Sequence, residues 1–439
     1  MKKILIITYY WPPAGGSGVQ RWLKFVKYLT RKNYYCIVYT PENPEFPVID
    51  NSILKDIPPK NFEVIKTKIF EPYSLYKFFT GKSKKEKITV SFLSENKIKS
   101  SFKEKISQWI RGNLFIPDAK MCWIKPSINY LSDYIQKNKI DVIISTGPPH
   151  SMHLIALGLK NKFTNIRWIA DFRDPWSNID FLNDLHLTKW AQQKHQQLEK
   201  KVVQSADAVI SVSPTLTYEL SQLSPELKTK FFTITNGFDE EDYYELNNLQ
   251  HPSTPKDNSI VITYAGLIPP NRNPEVLWKA IQQLSQSNLL PQNFTVHLIG
   301  KIDITVWENI QKYNIEQYIQ KTDYLPHSEV LKLEAQADAL LLIINNAPNS
   351  KGILTGKLFE YLALQKPIIA IGPTDGDAAQ IIKTTNAGVV IDYNDIESMK
   401  NTLLQIIHHK ISSPQIKDVM LFSRNHLTEQ LIQVIESLK

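Results

Sequence analysis

Short apolar runs alternate with amphipathic segments along the whole chain. Lys3–Thr8 is rich in Ile, as expected of a buried parallel strand. The next segment repeats its apolar residues at helical spacing, at Trp22, Phe25, Val26 and Leu29. Cys36–Tyr39 is a second apolar run. This succession predicts a β-loop-α-β unit.

The same alternation continues through both halves of the sequence. In the first half it predicts strands at Phe62–Lys66, Asp141–Ser145, Ile166–Ala170, Ala208–Val212 and Phe232–Ile234, with helices at Ile124–Gln136, His150–Lys160 and Thr188–Gln204. In the second half it predicts strands at Ile260–Ala265, Thr295–Ile299, Ala339–Ile344, Pro367–Ile371 and Gly388–Ile391, with helices at Pro274–Leu284, His327–Gln336 and Thr355–Leu364. Such alternation indicates parallel sheets covered by helices on both faces. The predicted fold class is α/β, with two Rossmann-like, doubly wound domains.

A polar segment divides the two series. Asn247–Asn258 holds two prolines and has no apolar periodicity, so it predicts an interdomain linker. We therefore expect one domain over residues 1–246 and a second over 259–413. Residues 414–439 contain a helix with one apolar face, and we expect this helix to pack back on the first domain. Ligands of such folds bind at the carboxyl ends of the strands, which predicts a cleft between the two domains.

Composition and charge narrow the class of protein. The chain of 439 residues is 42% hydrophobic and 21% charged, which is typical of a folded soluble protein. Two cysteines indicate no disulfide framework, and no apolar stretch of about 18 residues occurs, so we expect a cytoplasmic protein without a membrane span. The first apolar run is too short for a signal peptide.

The net charge of +8 favours anionic partners. Residues 80–107 contain eight lysines and three glutamates. This segment is either a solvated insertion or a contact with anionic lipid headgroups or a lipid-phosphate acceptor. No nucleic-acid-binding module accompanies the charge, so nucleic acid is disfavoured.

A glycine loop follows the first predicted strand. Gly15, Gly16 and Gly18 allow backbone N–H groups to approach a phosphate, and the next helix adds its N-terminal dipole. The loop is not a G-x-G-x-x-G and no acidic residue is placed for a dinucleotide ribose, which disfavours NAD. The glycines are explained equally well by a tight turn and by a phosphate-binding site.

Charged residues follow two further strands of the first half. Asp171 and Asp174 are candidates to orient a hydroxyl or accept its proton, and Arg173 between them is a candidate to hold phosphate or pair with either. A structural Arg–Asp turn is the alternative. His150 or Ser151 is expected to cap the next helix, an anion-friendly position that makes His150 a candidate on the sugar side.

The second half holds the stronger candidates. Gly266 leaves a strand and Arg272 precedes a helix, where its fork suits a diphosphate. Lys357 lies in the first turn of a helix, where a cation opposes the dipole and implies an anionic ligand. Glu360 lies on the same face and suits ribose hydroxyls. Asp375-Gly376-Asp377 spells a metal-binding D-x-D but is placed as a helix cap, and we expect no metal or other cofactor.

Together these motifs resemble the GT-B glycosyltransferases, in particular glycosyltransferase family 4. The resemblance rests on Trp11-Pro12-Pro13 with Gly15-Gly16, Asn236-Gly237-Phe238-Asp239, Gly266 with Arg272, Tyr324–His327 and Lys357–Glu360. It implies metal-independent, retaining transfer from a nucleoside-diphosphate sugar to a glycan or lipid-linked acceptor in cell-envelope polysaccharide synthesis. It also implies a donor site built from Gly15, Gly16, Gly266, Arg272, Lys357, Leu358 and Glu360, with Arg272 and Lys357 neutralising the leaving diphosphate.

The sequence departs from the family pattern in two ways, both close to the sugar. Gly352 stands where the family usually has a glutamate, and Asp171 and Asp174 stand where it often has a histidine. Gly352 therefore joins His150 and Arg173 as a residue expected near the sugar or acceptor. The alternatives are a non-catalytic sugar-nucleotide-binding protein and a nucleotide-sugar epimerase of the same fold.

Overall fold

The computed structural model describes residues 1–44, 49–70, 102–179, 182, 185–243, 259–409, 411 and 416–438. Most of the lysine-rich segment 80–107 and all of the predicted linker 247–258 lie outside these residues. The described chain separates into two compact units, which divide after Thr235. The division precedes the boundary predicted at residue 246, because Asn236–Tyr243 follows the last strand of the first unit and clusters with the second.

The first unit contains a sheet of seven described strands, all parallel. These are β1 (Lys3–Ile7), β2 (Tyr35–Pro41), β3 (Phe62–Thr67), β4 (Val142–Gly147), β5 (Arg167–Phe172), β6 (Ala208–Ser211) and β7 (Phe231–Thr233). Their order is β3-β2-β1-β4-β5-β6-β7, and β1 pairs with both β2 and β4. The sheet therefore winds outward in two directions from β1, as a doubly wound fold requires.

Helices connect these strands. They are α1 (Ser17–Arg31), α2 (Phe102–Asn113), α3 (Ile124–Lys137), α4 (Ser151–Lys162), α5 (Lys189–Ser205) and α6 (Pro214–Gln222). Successive strand residues face opposite sides of the sheet, so β1 contributes Leu5 and Ile7 to one core cluster and Ile4 and Ile6 to the other. Both faces of the sheet are covered, which explains why its strands are apolar throughout rather than alternating.

The second unit repeats this plan with six described strands. They are β8 (Ile260–Ala265), β9 (Phe294–Ile299), β10 (Ile319–Thr322), β11 (Ala339–Ile343), β12 (Ile368–Ile371) and β13 (Gly388–Ile391), in the order β10-β9-β8-β11-β12-β13 and all parallel. Its helices are α7 (Glu275–Gln286), α8 (Ile304–Lys312), α9 (His327–Gln336), α10 (Gly356–Ala363), α11 (Asp377–Thr384), α12 (Ile396–Ile407) and α13 (Ile416–Val419). The predicted α/β class with two Rossmann-like domains is confirmed.

Strand β10 was not predicted, because Ile319 is its only apolar residue. It pairs only with β9 among the described strands, and Gln320 and Lys321 are exposed. An edge strand of this kind lacks the continuous apolar run that identifies buried parallel strands.

The last helix, α14 (Arg424–Ser437), belongs to the first unit. Its apolar residues Leu427, Leu431 and Ile435 lie in the same core cluster as Val26 of α1. Lys32 and Glu429 form an ion pair of 2.8 Å between these two helices. The helical pattern predicted within residues 414–439 is interrupted, since α13 and a short 3-10 turn (Met420–Phe422) end at the extended residue Ser423.

No helix among the described residues is long and apolar enough to cross a membrane.

Candidate functional site

The carboxyl end of β8 meets the start of α10 in the second unit. Gly266 follows β8 with a φ of 136°, in the left-handed region that favours glycine. A β-carbon built on Gly266 would lie 2.9 Å from both Cε and Nζ of Lys357. The Lys357 ammonium therefore packs directly over Gly266, and any side chain at position 266 would displace it.

Arg272 reaches the same strand end from the short 3-10 turn Pro270–Arg272. Its Nε donates to Asn345 Oδ1, and its guanidinium also hydrogen-bonds Tyr264. The Tyr264 hydroxyl is 3.7 Å from the β-carbon position of Gly266 that Lys357 covers. Arg272 and Lys357, predicted from motifs 85 residues apart, are thus brought to one end of the sheet near the Tyr264 hydroxyl.

Buried polar atoms without hydrogen-bond partners among the described residues surround α10. They are Thr355 Oγ1 at its N-cap and Oε2 of Glu334 on α9. Thr355 holds the N-cap position of this helix, but its side chain makes no capping hydrogen bond. Unsatisfied buried groups are costly and concentrate at functional sites.

Glu334 is a site residue that sequence reasoning missed. Its side chain is only 2% exposed and interacts electrostatically with Glu360 and Lys357. Burial, followed by the Glu360 charge, raises the pKa of Glu334 to about 8, against the opposing effects of Lys357 and Tyr361. The available signal was its spacing, because Leu331, Glu334 and Ala335 share the buried face of α9.

The remaining donor candidates lie on or just before α10. Glu360 is half-buried one turn after Lys357, whereas Leu358 is fully buried in a core cluster. Leu358 therefore contributes packing and not a side-chain contact to a ligand. Gly352 ends a 3-10 turn, and its neighbour Lys351 pairs with Asp375 at 2.5 Å on the surface.

The glycine loop of the first unit leads into α1. Gly15 precedes Gly16, which holds the N-cap position with a φ of 99°. Among the described residues, no atom lies within 4 Å of a β-carbon built on Gly16. The N-terminus of α1 is open on that side.

Asp171 differs from its predicted role. It lies inside β5, fully buried, and its carboxylate accepts hydrogen bonds from Arg21 at 2.8 Å, Trp22 at 2.7 Å and Thr146 at 2.8 Å. Burial alone would raise the pKa of Asp171, but the Arg21 charge and these hydrogen bonds hold it below its ordinary value. The geometry gives Asp171 a structural role, joining β5 to α1, instead of the catalytic role expected from its position.

Arg173 also contacts backbone rather than the expected partners. Its guanidinium donates to the carbonyls of Gly18 at 2.9 Å, Gly147 at 3.3 Å and Pro148. It thus joins the glycine loop to the loop after β4. Asp174 beside it is exposed.

His150 occupies the N-cap position of α4 but does not cap it through its side chain. The Asp118 carboxylate performs that function, accepting from the Ser151 backbone N–H at 2.9 Å and from the Ser151 hydroxyl at 2.7 Å. The expected capping role of His150 or Ser151 is therefore wrong. The His150 ring instead stacks on Trp176, with a centroid separation of 4.6 Å.

Comparison with known families identifies the second unit. Residues 247–418 match the family of glycosyl transferases group 1. A search of curated proteins found no match.

Solved structures share the fold over the full length. Sucrose-phosphate synthase from Thermosynechococcus elongatus is 16% identical, with a TM-score of 0.58, and the alignment covers 100% of this chain and 99% of that one. The Escherichia coli trehalose-6-phosphate structure bound with UDP-2-fluoro glucose is 10% identical, with a TM-score of 0.59 and 99% coverage of both chains. WaaG, a glycosyltransferase involved in lipopolysaccharide biosynthesis, is 13% identical, with a TM-score of 0.53 and coverage of 99% and 100%. With two doubly wound parallel sheets and a group 1 domain at residues 247–418, the chain is a glycosyltransferase of the GT-B fold.

Proposed function

We propose that this enzyme transfers a sugar from a nucleoside-diphosphate sugar, whose diphosphate binds to Arg272 and Lys357 in the second unit. The observation that carries the proposal is the packing of the Lys357 ammonium over Gly266, beside the Tyr264 hydroxyl that Arg272 contacts. Two cations at one strand end match the charge of a diphosphate, and the guanidinium fork binds two oxygens.

The same two side chains are proposed to stabilise the diphosphate as the leaving group. Negative charge develops on the diphosphate as the glycosidic bond breaks, and fixed positive groups stabilise that charge in the transition state. We propose that transfer needs no metal for this reason and retains the anomeric configuration, as the family resemblance implies. Glu360, one turn along α10, is proposed to accept hydrogen bonds from ribose hydroxyls. The contact of Gly15 and Gly16 with the diphosphate stays a prediction.

The proposed acceptor is a glycan or a lipid-linked glycan of the cell envelope. WaaG, which shares the fold, acts in lipopolysaccharide biosynthesis. Helix α2 presents exposed apolar side chains, Ile106 and Trp109, and Leu114 follows it, also exposed. An exposed tryptophan next to a lysine-rich stretch suits contact with an anionic membrane surface.

Thermal unfolding with a panel of nucleoside diphosphates and their sugars, without added metal, tests the donor site. A ligand that binds only the folded state raises the melting temperature. We expect one nucleotide class to stabilise the wild type, and Lys357→Ala to lose this effect. Lys351→Ala is the matched control, because Lys351 lies on the same segment but pairs with Asp375 on the surface. If no nucleotide shifts the transition, or both variants respond alike, the proposed donor site is wrong.

A further inference from the structure

Two buried histidine nitrogens converge above Gly147 at the carboxyl end of β4. A β-carbon built on Gly147 would lie 2.6 Å from His153 Nε2 and 2.9 Å from His150 Nδ1. Both nitrogens are buried and lack a hydrogen-bond partner among the described residues. A glycine is required at position 147, because any larger residue would enter the space that the two rings face.

The other ring nitrogens determine what this pair offers to a ligand. His150 hydrogen-bonds the backbone of Pro175, and since its Nδ1 is unpartnered, Nε2–H is the donor and Nδ1 is an acceptor. His153 Nδ1 is 2.8 Å from Ser145 Oγ, which also accepts from Trp168 Nε1 at 2.9 Å. Ser145 Oγ still has its hydroxyl hydrogen to donate to His153 Nδ1, and the tautomer of His153 that accepts it carries the ring proton on Nε2. In this tautomer of His153, one acceptor and one donor face the same point.

Both rings are held in place and uncharged. His150 stacks on Trp176 with an interplanar angle of 3°, and His153 stacks on Phe172 with a centroid separation of 4.5 Å. Burial lowers the pKa of His150 well below its usual value and that of His153 to about 3. A neutral donor–acceptor pair suits a hydroxyl, which both accepts and donates, and it disfavours phosphate, which only accepts.

We propose that His150 Nδ1 and His153 Nε2 together bind one sugar hydroxyl over Gly147. The proposal rests on the glycosyltransferase function proposed above, and it adds His153 and Gly147, to which the sequence assigned no role. The site lies at the strand end where ligands of parallel sheets bind. The hydroxyl belongs either to the acceptor or to the sugar of the donor.

Substitution by Asn or Gln tests the two nitrogens of each histidine ring one at a time. Asn places its amide near the Nδ1 position and Gln near the Nε2 position. His150→Gln and His153→Asn therefore remove the two groups that face Gly147. His150→Asn and His153→Gln retain a polar group there and serve as matched controls for folding and ring loss.

The probes are methyl hexopyranosides for the acceptor, nucleoside-diphosphate hexoses for the donor, and nucleoside diphosphates alone, with dissociation constants measured on the full chain. Each removing variant should weaken hydroxyl binding about fivefold, the effect of one neutral hydrogen bond, while each matched control stays closer to wild type. Loss for methyl hexopyranosides assigns the hydroxyl to the acceptor. Loss for nucleoside-diphosphate hexoses, with nucleoside diphosphates unaffected, assigns it to the donor sugar.

The proposal is overturned if neither class of sugar ligand binds the removing variants less tightly than the wild type. Failure of nucleoside diphosphates to bind the wild type is a different result, and it rejects the donor site of the second unit instead. Gly147→Ala gives an independent check, since its methyl group enters the space between the two nitrogens and should reduce sugar binding as the removing variants do.

Discussion

A single buried carboxyl illustrates how residue environment decides charge in the donor site. Glu334 has few neighbours that stabilise its ionised form, while burial and Glu360 oppose ionisation and raise its pKa to about 8. The neutral acid leaves the Lys357 charge available to an anionic ligand. An ionised Glu334 would neutralise it, which links pH to diphosphate binding through this position.

We expect the stability of the second unit to fall as pH rises from about 4.5 to about 8, because folding holds a proton on Glu334 that the unfolded chain releases. Glu334→Gln should abolish this component and stabilise the protein at pH 8.5 relative to wild type, by on the order of 3 kcal/mol. Denaturant unfolding at several pH values measures the effect. Glu329→Gln, exposed on the same helix, is the control, and equal pH slopes in wild type and Glu334→Gln would contradict the prediction.

Asp171 is expected to act on stability. Asp171→Asn leaves Arg21 buried without its ion-pair partner, which typically costs about 3 kcal/mol or more. Asp174→Asn, at an exposed position, should cost much less. Denaturant unfolding separates the two variants. Wild-type stability in Asp171→Asn with abolished transfer would instead restore the catalytic role.

At the scale of elements, α14 completes the first unit although it is distant in sequence from the sheet. Leu431→Ala should destabilise that unit by about 3 kcal/mol, since it removes a side chain from a core cluster shared with α1. Gln433→Ala, exposed on the same helix, is the matched control and should change stability little. Near-native stability of Leu431→Ala would show that α14 does not contribute to this core.

Helix α2 is the element expected to contact lipid. Ile106→Ser with Trp109→Ser should reduce co-sedimentation with vesicles that contain phosphatidylserine, because both exposed apolar side chains suit the headgroup boundary. Co-sedimentation with neutral vesicles measures how much of the membrane binding depends on lipid charge. Unchanged binding of this double variant to anionic vesicles would exclude α2 as the contact.

Sequence patterns identified elements whose signal is local. A strand buried on both faces is continuously apolar, which made Lys3–Thr8 and Ala339–Ile344 recognisable. Lys357 was recognisable because a cation in the first turn of a helix is opposed by the helix dipole and therefore indicates an anionic ligand. The role of Asp171 depended on Arg21, 150 residues away in sequence, and that of Glu334 on the packing around it. The Arg21–Asp171 ion pair leaves no trace in local spacing, and the spacing of Glu334 with Leu331 and Ala335 indicates its burial but not the charges around it. The break at Ser423 was missed because apolar residues on both sides follow one helical period.

For the whole molecule, each unit has its own sheet and its own core clusters, and ligand effects should be traceable to one of them. Hydrogen exchange measured with a stabilising nucleoside diphosphate should show its strongest protection in residues 264–272 and 350–361 of the second unit. These segments carry Arg272, Lys357 and Thr355, whose buried hydroxyl lacks a hydrogen-bond partner among the described residues. Strongest protection around the glycine loop at 15–18 would relocate the diphosphate site.

The position of α14 at the end of the chain determines the order in which the two units can be completed during protein synthesis. Translation proceeds from the N-terminus, so all seven strands of the first sheet leave the ribosome before Arg424–Ser437 is made. The apolar surface of α1 that α14 covers therefore stays uncovered while the entire second unit is synthesised. The second unit is therefore complete first, and a nascent or prematurely terminated chain presents the uncovered α1 surface to chaperones and proteases.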